Sequence, residues 1–142
     1  MQIAIEEAKE GIRKGHGGPF GAVIVKNGEI IAKGHNHVVE YNDPTCHGEI
    51  DAIRKACKKL KTFDLSGCEL YTTHAPCPMC DCAIKWANIN KVYYGCTIED
   101  TEAIGFRDKQ FYEEPSEEPI QLDRDACIEL NKEYMSLKHI LY

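Results

Sequence analysis

Two short stretches of ionisable and sulfur-containing residues most constrain the fold of this 142-residue chain. One is Cys46-His47-Gly48-Glu49 and the other is Pro76-Cys77-Pro78-Met79-Cys80, and each stands at the start of a predicted helix. Two cysteines at C-x-x-C spacing can face one metal ion, and His47 with Cys77 and Cys80 supplies three of the four ligands of tetrahedral zinc. A chain that binds zinc through these three residues must fold so that the starts of both helices meet, and the fourth coordination position of the zinc is then open for water.

Glu49 stands two residues after His47, near enough to take a proton from zinc-activated water and pass it on. Residues i and i+2 point to different sides of a regular helix, so the arrangement predicts that His47 occupies the irregular capping position. Helix N-termini carry partial positive charge, which together with the metal favours thiolate over thiol. An H-x-E sequence followed by P-C-x-x-C is the signature of zinc deaminases, in which the Glu is the general acid/base and not a ligand.

The other cysteines and histidines leave plainer interpretations open. A C-x-x-C by itself also occurs in structural zinc sites and in thiol redox sites. Cys46, Cys82 and His74 lie close enough in sequence to complete a closed structural zinc site, in which Glu49 would be idle. Four further cysteines fit small buried apolar positions: Cys57, Cys68, Cys96 and Cys127. Three histidines lie among polar neighbours and are expected to face solvent without a role: His16, His37 and His139.

The composition is that of one ordinary globular domain, which we expect to cover residues 1–142. Hydrophobic residues make up 43% and charged residues 28%, which excludes disorder and coiled coil. The formal charge of -6 argues against a nucleic-acid partner. The N-terminus lacks the basic head and apolar run of a signal peptide, so the eight cysteines are expected to be reduced thiols in the cytoplasm. No apolar stretch approaches the roughly 18 residues that span a bilayer, so we expect no membrane segment.

Apolar periodicity and turn residues predict helices that alternate with strands. Ile5, Ala8 and Ile12 mark a first helix that stops at Gly15. The pair Asn27-Gly28 predicts a tight type I′ hairpin turn between strands over 20–26 and 29–33. A second helix begins near His47, and its predicted inner face consists of Ile50, Ile53, Cys57 and Leu60.

The second half of the chain continues this alternation. A strand over 68–73, a helix from Pro78 through Trp86 and a strand over 91–96 are predicted in turn. The charged segment 113–118 predicts a solvated connection. A last helix is expected to turn four residues inward: Cys127, Leu130, Tyr134 and Leu137. The alternation indicates a layered α/β fold with a mixed sheet, because the opening hairpin makes one strand pair antiparallel.

Several motifs together resemble the cytidine and deoxycytidylate deaminase superfamily, and within it the small bacterial guanine deaminases. They are Asp43-Pro44-Thr45 before Cys46-His47, the P-C-x-x-C stretch and the runs 18–25, 34–36, 53–57, 83–87 and 105–108. The resemblance covers most of the chain to about Tyr112, and the acidic tail matches weakly.

This resemblance implies a three-layer α/β/α sandwich, one zinc ion per chain and hydrolytic deamination of a nucleobase that releases ammonia. It assigns zinc binding to His47, Cys77 and Cys80 and proton transfer to Glu49. Five residues are implied on the substrate side. Asn36 would hydrogen-bond the base, Asp108 would read the amino-imino edge of a purine, Phe20 and Trp86 would line or close the pocket, and Tyr142, in preference to Tyr134, would reach the neighbouring subunit's site. The family thus implies a homodimer, with domain swapping as one form.

Departures from the family pattern keep other activities open. Gly48 stands where the guanine deaminases generally have alanine, and the H-G-E form also resembles fungal cytosine deaminases. Ala75 and Arg107 replace acidic residues common in the family. The alternatives are therefore a deaminase of cytosine, a nucleoside or another amino-heterocycle, then a tRNA adenosine deaminase, against which the net charge argues, and a non-enzymatic zinc module.

Overall fold

A computed structural model of the chain describes residues 1–114, 118–138 and 140. Four strands form one sheet: β1 (Gly21–Lys26), β2 (Glu29–His35), β3 (Cys68–His74) and β4 (Lys91–Cys96). The helices, in chain order, are α1 (Gln2–Lys14), α2 (Val38–Tyr41), α3 (Gly48–Leu60), α4 (Pro78–Trp86), α5 (Ile98–Ala103), α6 (Gln110–Glu113) and α7 (Arg124–Ser136).

The sheet is mixed, as the opening hairpin predicts. Its strand order is β2-β1-β3-β4, with β1 antiparallel to both neighbours and β3 parallel to β4. At the hairpin turn, Asn27 and Gly28 both have positive φ, 49° and 77°, and Lys26 pairs with Glu29. Those are the conformations that a type I′ turn requires, and they explain the Asn-Gly pair.

Helices cover both faces of the sheet, which confirms the predicted α/β/α layers. Helix α1 packs on Gly21 of β1 through Ala4 and Ala8, whereas Ala52 of α3 lies against Gly34 of β2. Gly34 pairs with Ala22, the residue after Gly21, and successive strand residues point to opposite faces. Helices α1 and α3 therefore lie on opposite sides, and α4 packs beside α3.

The helix faces that pack on the sheet consist of smaller residues than expected. Helix α1 buries Ala4, Glu7, Ala8 and Gly11, whereas Ile12, one of the residues whose spacing predicts this helix, is 47% exposed. Helix α3 likewise buries Ala52 and Ala56, while Ile53, Cys57 and Leu60 are only partly buried at the edge of the core. Small side chains let both helices approach the sheet closely, so large apolar residues fall to the flanks.

The last helix does not join the core. Helix α7 buries none of its residues, and the prediction that its apolar residues face inward is wrong: Cys127 is exposed, as are Leu130, Tyr134 and Leu137. The buried residues of the main hydrophobic core lie between Ala22 and Ile89 in the sequence, so none of them belongs to α7. Residues 115–117 of the predicted solvated connection lie outside the described residues. No helix in the described part of the chain is long and apolar enough to cross a membrane.

Candidate active site

The starts of helices α3 and α4 meet beside the sheet and bring together the predicted zinc ligands. His47 caps α3 in extended conformation (φ -72°, ψ 164°), and Cys77 caps α4 in nearly the same conformation (φ -68°, ψ 168°). The expected capping position of His47 is thus what the structure shows. Pro78 occupies the first turn of α4, where its missing N–H costs no hydrogen bond.

Three donor atoms converge between the two helix starts. His47 Nδ1 lies 3.6 Å from Cys77 Sγ and 3.5 Å from Cys80 Sγ. Both cysteines are buried. Among the described residues no fourth His, Cys, Asp or Glu belongs to this group. One imidazole and two thiol groups at this spacing are the donor set of a zinc site with an open position.

The electrostatics of the trio also fit a cation. A hydrogen bond from the Cys80 thiol and the neighbouring His47 lower the pKa of Cys77 to about 4, against the effect of burial. The same contact with Cys77, together with burial, raises the pKa of Cys80, and hydrogen bonding to Cys77 raises the pKa of His47. The cluster therefore holds one thiolate readily, and a bound metal ion would stabilise the second.

Glu49 lies in the first turn of α3 and is 5% exposed. Its Oε2 lies 3.5 Å from Cys80 Sγ, and its Oε1 accepts a hydrogen bond from Thr72 Oγ1 of β3 at 3.1 Å. Burial raises the pKa of the Glu49 carboxyl. A buried carboxyl with a raised pKa beside a metal position can both accept and return a proton.

A cavity of about 780 Å³ opens onto these groups. His47, Glu49 and Cys77 are among the residues that line it. Three of the predicted substrate-side residues also line it: Phe20, Asn36 and Asp108. Asn36 is 3% exposed and accepts a hydrogen bond from the Val38 N–H at 3.1 Å, and burial raises the pKa of the Asp108 carboxyl.

Of the other two predicted substrate-side residues, one lies away from the cavity and one lies outside the described residues. Trp86 ends α4 with its side chain 67% exposed and does not line this cavity. Tyr142 lies outside the described residues, and Tyr134, the other candidate, donates to the Ile140 carbonyl from α7. That a C-terminal tyrosine extends into the active site of a neighbouring subunit stays a prediction.

The cavity wall includes aromatic residues to which the sequence reasoning assigned no role. Phe106 packs edge-on against Phe20, with ring centroids 4.7 Å apart, and Phe111 lies 5.2 Å from the Arg107 guanidinium. Tyr112 Oη donates to the Pro76 carbonyl at 2.6 Å, which ties α6 to the loop before Cys77. This tie explains how the segment that carries Asp108 comes to lie over the metal ligands.

The closed four-ligand alternative does not fit this geometry. Cys82 is exposed, and Cys46 lies near the Arg54 guanidinium, 3.8 Å away, outside the donor group. His74 lines the same cavity, but its Nδ1 lies 3.0 Å from Thr73 Oγ1 and its ring packs against Phe20.

The expectation that His16 and His37 face solvent is wrong. His37 is 6% exposed, and its ring stacks on those of His16 and His35. The backbone causes this burial, because the His37 N–H donates to the Cys46 carbonyl and the Val39 and Glu40 N–H groups donate to the His16 carbonyl.

Comparison with known proteins extends these observations. Residues 1–96 match the family model described as the cytidine and deoxycytidylate deaminase zinc-binding region. The chain is 52% identical over 121 residues to a guanine deaminase of Bacillus subtilis, a match that covers 83% of this chain and 78% of that protein. It is also 50% identical over 94 residues to a tRNA-specific adenosine deaminase of Aquifex aeolicus, covering 66% of this chain and 62% of that one.

Solved structures show the same likeness. A crystal structure of guanine deaminase from Bacillus subtilis superimposes with a TM-score of 0.89 at 41% identity, covering 99% of this chain and 94% of that chain. A guanine deaminase from Nitrosomonas europaea superimposes with a TM-score of 0.72 at 29% identity, covering 96% and 82%.

Proposed function

Because the chain belongs to the cytidine and deoxycytidylate deaminase family, we propose that it converts guanine and water to xanthine and ammonia. It is a zinc-dependent hydrolytic deaminase, and its likeness to guanine deaminases supports a small-molecule nucleobase as the substrate. The observation that carries the choice of guanine is the extent of the structural match. The Bacillus subtilis guanine deaminase covers 99% of this chain, whereas a tRNA:A34 deaminase structure covers 68%.

In this proposal His47, Cys77 and Cys80 hold the zinc ion. Bound zinc lowers the pKa of water toward about 7 and so supplies a nucleophile at neutral pH. Glu49 would take a proton from the attacking water and deliver it to the departing amino group. Its burial and raised pKa suit both transfers, and Thr72 holds the carboxylate through Oε1.

The substrate-side residues orient the ring. Asn36 donates to the base through its amide, whose oxygen is already engaged by the Val38 N–H. Asp108 accepts from the N–H groups of the purine edge, and the edge-on pair Phe20 and Phe106 packs against the ring. The described cavity is largely apolar, so these few polar groups decide the orientation.

The test is ammonia release by the zinc-loaded chain against guanine, adenine, cytosine, their nucleosides and a tRNA stem-loop. We expect turnover of guanine. Turnover of cytosine or a nucleoside instead would keep the zinc mechanism and overturn the role of Asp108. Salt-dependent turnover of the stem-loop would favour a tRNA adenosine deaminase, against which the net charge of -6 argues.

The role of Glu49 has a separate test. The Glu49→Gln variant keeps the shape of the side chain but cannot take a proton, so kcat should fall by at least about a hundredfold while one zinc remains at the site. Glu29→Gln, at an exposed carboxylate in β2, is the matched control and should keep wild-type activity. Full activity in Glu49→Gln would contradict the assigned role.

We also propose that the chain is a homodimer. Apolar side chains along α7 support this, since Leu130 is 64% exposed and Met135 is 65% exposed. A protein surface of this kind is commonly covered by a partner.

We further propose a cytoplasmic location. All eight cysteines are free thiols, which fits a protein kept under the reducing conditions of the cytoplasm.

A further inference from the structure

A second group of metal-ligating side chains lies apart from the proposed zinc ligands. His16 follows α1, His35 ends β2, and His37 caps α2. One ring nitrogen from each lies within 4.8 Å of the others. His35 and His37 are buried, at 5% and 6% exposure. The deamination mechanism uses none of the three.

The donor atoms converge together with one carboxylate. His16 Nδ1 lies 2.9 Å from His35 Nε2 and 3.3 Å from Glu40 Oε2, and the same Glu40 oxygen lies 2.5 Å from His37 Nδ1. Ligand atoms around tetrahedral zinc lie about 3.3 Å apart, given bonds of about 2.0–2.1 Å. Three imidazole nitrogens therefore lie within reach of one ion, and Glu40 Oε2 lies beside two of the rings, those of His16 and His37, where it can supply a fourth ligand.

A carboxylate stands behind each of the two buried rings. Glu7 Oε2 lies 3.4 Å from His35 Nδ1, and Asp51 Oδ2 lies 3.3 Å from His37 Nε2. Both carboxylates are themselves mostly buried, with side chains 10% and 11% exposed. Metal-binding histidines typically direct their second nitrogen to such a carboxylate, which sets the tautomer and ring orientation.

The cluster is incompletely satisfied by hydrogen bonds. In the described part of the chain, His37 Nε2 is the buried side-chain atom without a hydrogen-bond partner, because its approach to Asp51 lacks hydrogen-bond geometry. Burial also lowers the pKa of His35, and the neutral ring is the form that binds metals. A cation at His37 Nδ1 would leave the proton on Nε2, facing Asp51.

We propose that His16, His35, His37 and Glu40 bind a second divalent transition-metal ion. Imidazole and carboxylate ligands suit Zn²⁺, Co²⁺ or Ni²⁺. The ion would link the turn after α1, the end of β2 and helix α2. These segments also line the catalytic cavity, so the second ion would hold one wall of it in place.

Metal content tests this proposal without reference to activity. Metal-free full-length chain is reconstituted with Zn²⁺, dialysed against zinc-free buffer and analysed by mass spectrometry of the metal. We expect two zinc ions per chain, and one in His16→Gln and in Glu40→Gln. These side chains are partly exposed, so both variants should fold, and circular dichroism checks this. Glu10→Gln, at an exposed carboxylate of α1, is the control and should keep two.

The two sites are distinguished by Co²⁺ spectroscopy. The thiolate site alone gives sulfur-to-cobalt charge-transfer absorption, so His16→Gln should keep that band and lose the weaker ligand-field bands of a nitrogen and oxygen site. One zinc per chain in wild type, unchanged in His16→Gln and Glu40→Gln, would overturn the proposal, as would a second zinc removed by dialysis. Because neither assay measures deamination, loss of the second site and failure of the proposed function are separately visible.

Discussion

The position of the Glu49 carboxylate depends on what contacts each of its oxygens. The Cys80 thiol donates to Oε2, but Cys80 as a zinc-bound thiolate would have no proton to donate. Thr72 Oγ1 then remains as the hydrogen-bond donor to Oε1. Thr72 is 1% exposed on β3, and nothing in the short motifs singles it out. It is therefore a positioning residue that only the fold reveals.

Removal of this hydroxyl should affect turnover more than binding. We expect Thr72→Val to lower kcat about tenfold to a hundredfold, with little change in KM for guanine and with one zinc still at the cysteine site. Steady-state kinetics and metal analysis measure both. Thr72→Ser keeps the hydroxyl and should restore kcat. An equal loss in the serine variant would assign the effect to packing instead of the hydrogen bond.

Asp108 should decide which base is accepted. Replacement of its carboxylate by an amide turns one acceptor into a donor that faces the N–H groups of guanine. We expect Asp108→Asn to lower kcat/KM for guanine by about tenfold or more, since a buried mismatched polar group costs about 1–3 kcal/mol. Lys109→Gln, next in sequence and paired with Glu102, is the control. Unchanged guanine kinetics would remove Asp108 from the recognition site.

At the scale of secondary structure, close packing of α3 on β2 places the zinc ligand. A β-carbon on Gly34 would lie 2.5 Å from the Ala52 nitrogen and 2.7 Å from the Gly48 carbonyl oxygen. Both neighbours are backbone atoms, so the helix itself would have to move. Because His47 caps that helix, the distance between α3 and β2 also sets where the ligand lies.

Gly34→Ala should therefore destabilise the fold and loosen the site. We expect a loss of about 1–3 kcal/mol in the free energy of unfolding, measured by urea denaturation, together with weaker zinc retention. Glu29→Ala, at an exposed position of the same strand, is the control. Wild-type stability in Gly34→Ala would show that α3 can shift without cost.

At the scale of the whole molecule, the exposed apolar side of α7 bears on oligomeric state. If the proposed dimer covers this surface, Leu130→Glu should shift the chain toward monomer at micromolar concentration, because a charge would be buried in the interface. Sedimentation equilibrium measures the change. Asn131→Glu adds the same charge at the next position of α7 and serves as the control. A wild-type chain that is monomeric across the concentration range would overturn the dimer.

Much of the architecture follows from local sequence chemistry. Asn27-Gly28 determines the hairpin turn because both residues adopt positive φ, and alternation of apolar runs predicts the mixed α/β layers. His47, Cys77, Cys80 and Glu49 can be found from spacing alone, since zinc chemistry demands those residue types. The same reasoning misplaced the inner face of α7 and did not foresee that α1 and α3 pack on the sheet through small residues, because spacing along the chain does not show how closely two elements pack.

Contacts between residues distant in sequence were decided only by the tertiary structure. The hydrogen bond from Thr72 to Glu49, the wall formed by Phe106 and Phe111, and the position of Trp86 outside the cavity all depend on how helices and loops meet the sheet. The histidine cluster is the clearest case. His16 and His37 look solvent-exposed in sequence, yet backbone hydrogen bonds bring them to His35, where His37 is buried and His16 is partly buried. Local pattern determines which elements form, whereas shared burial between them determines which side chains become neighbours.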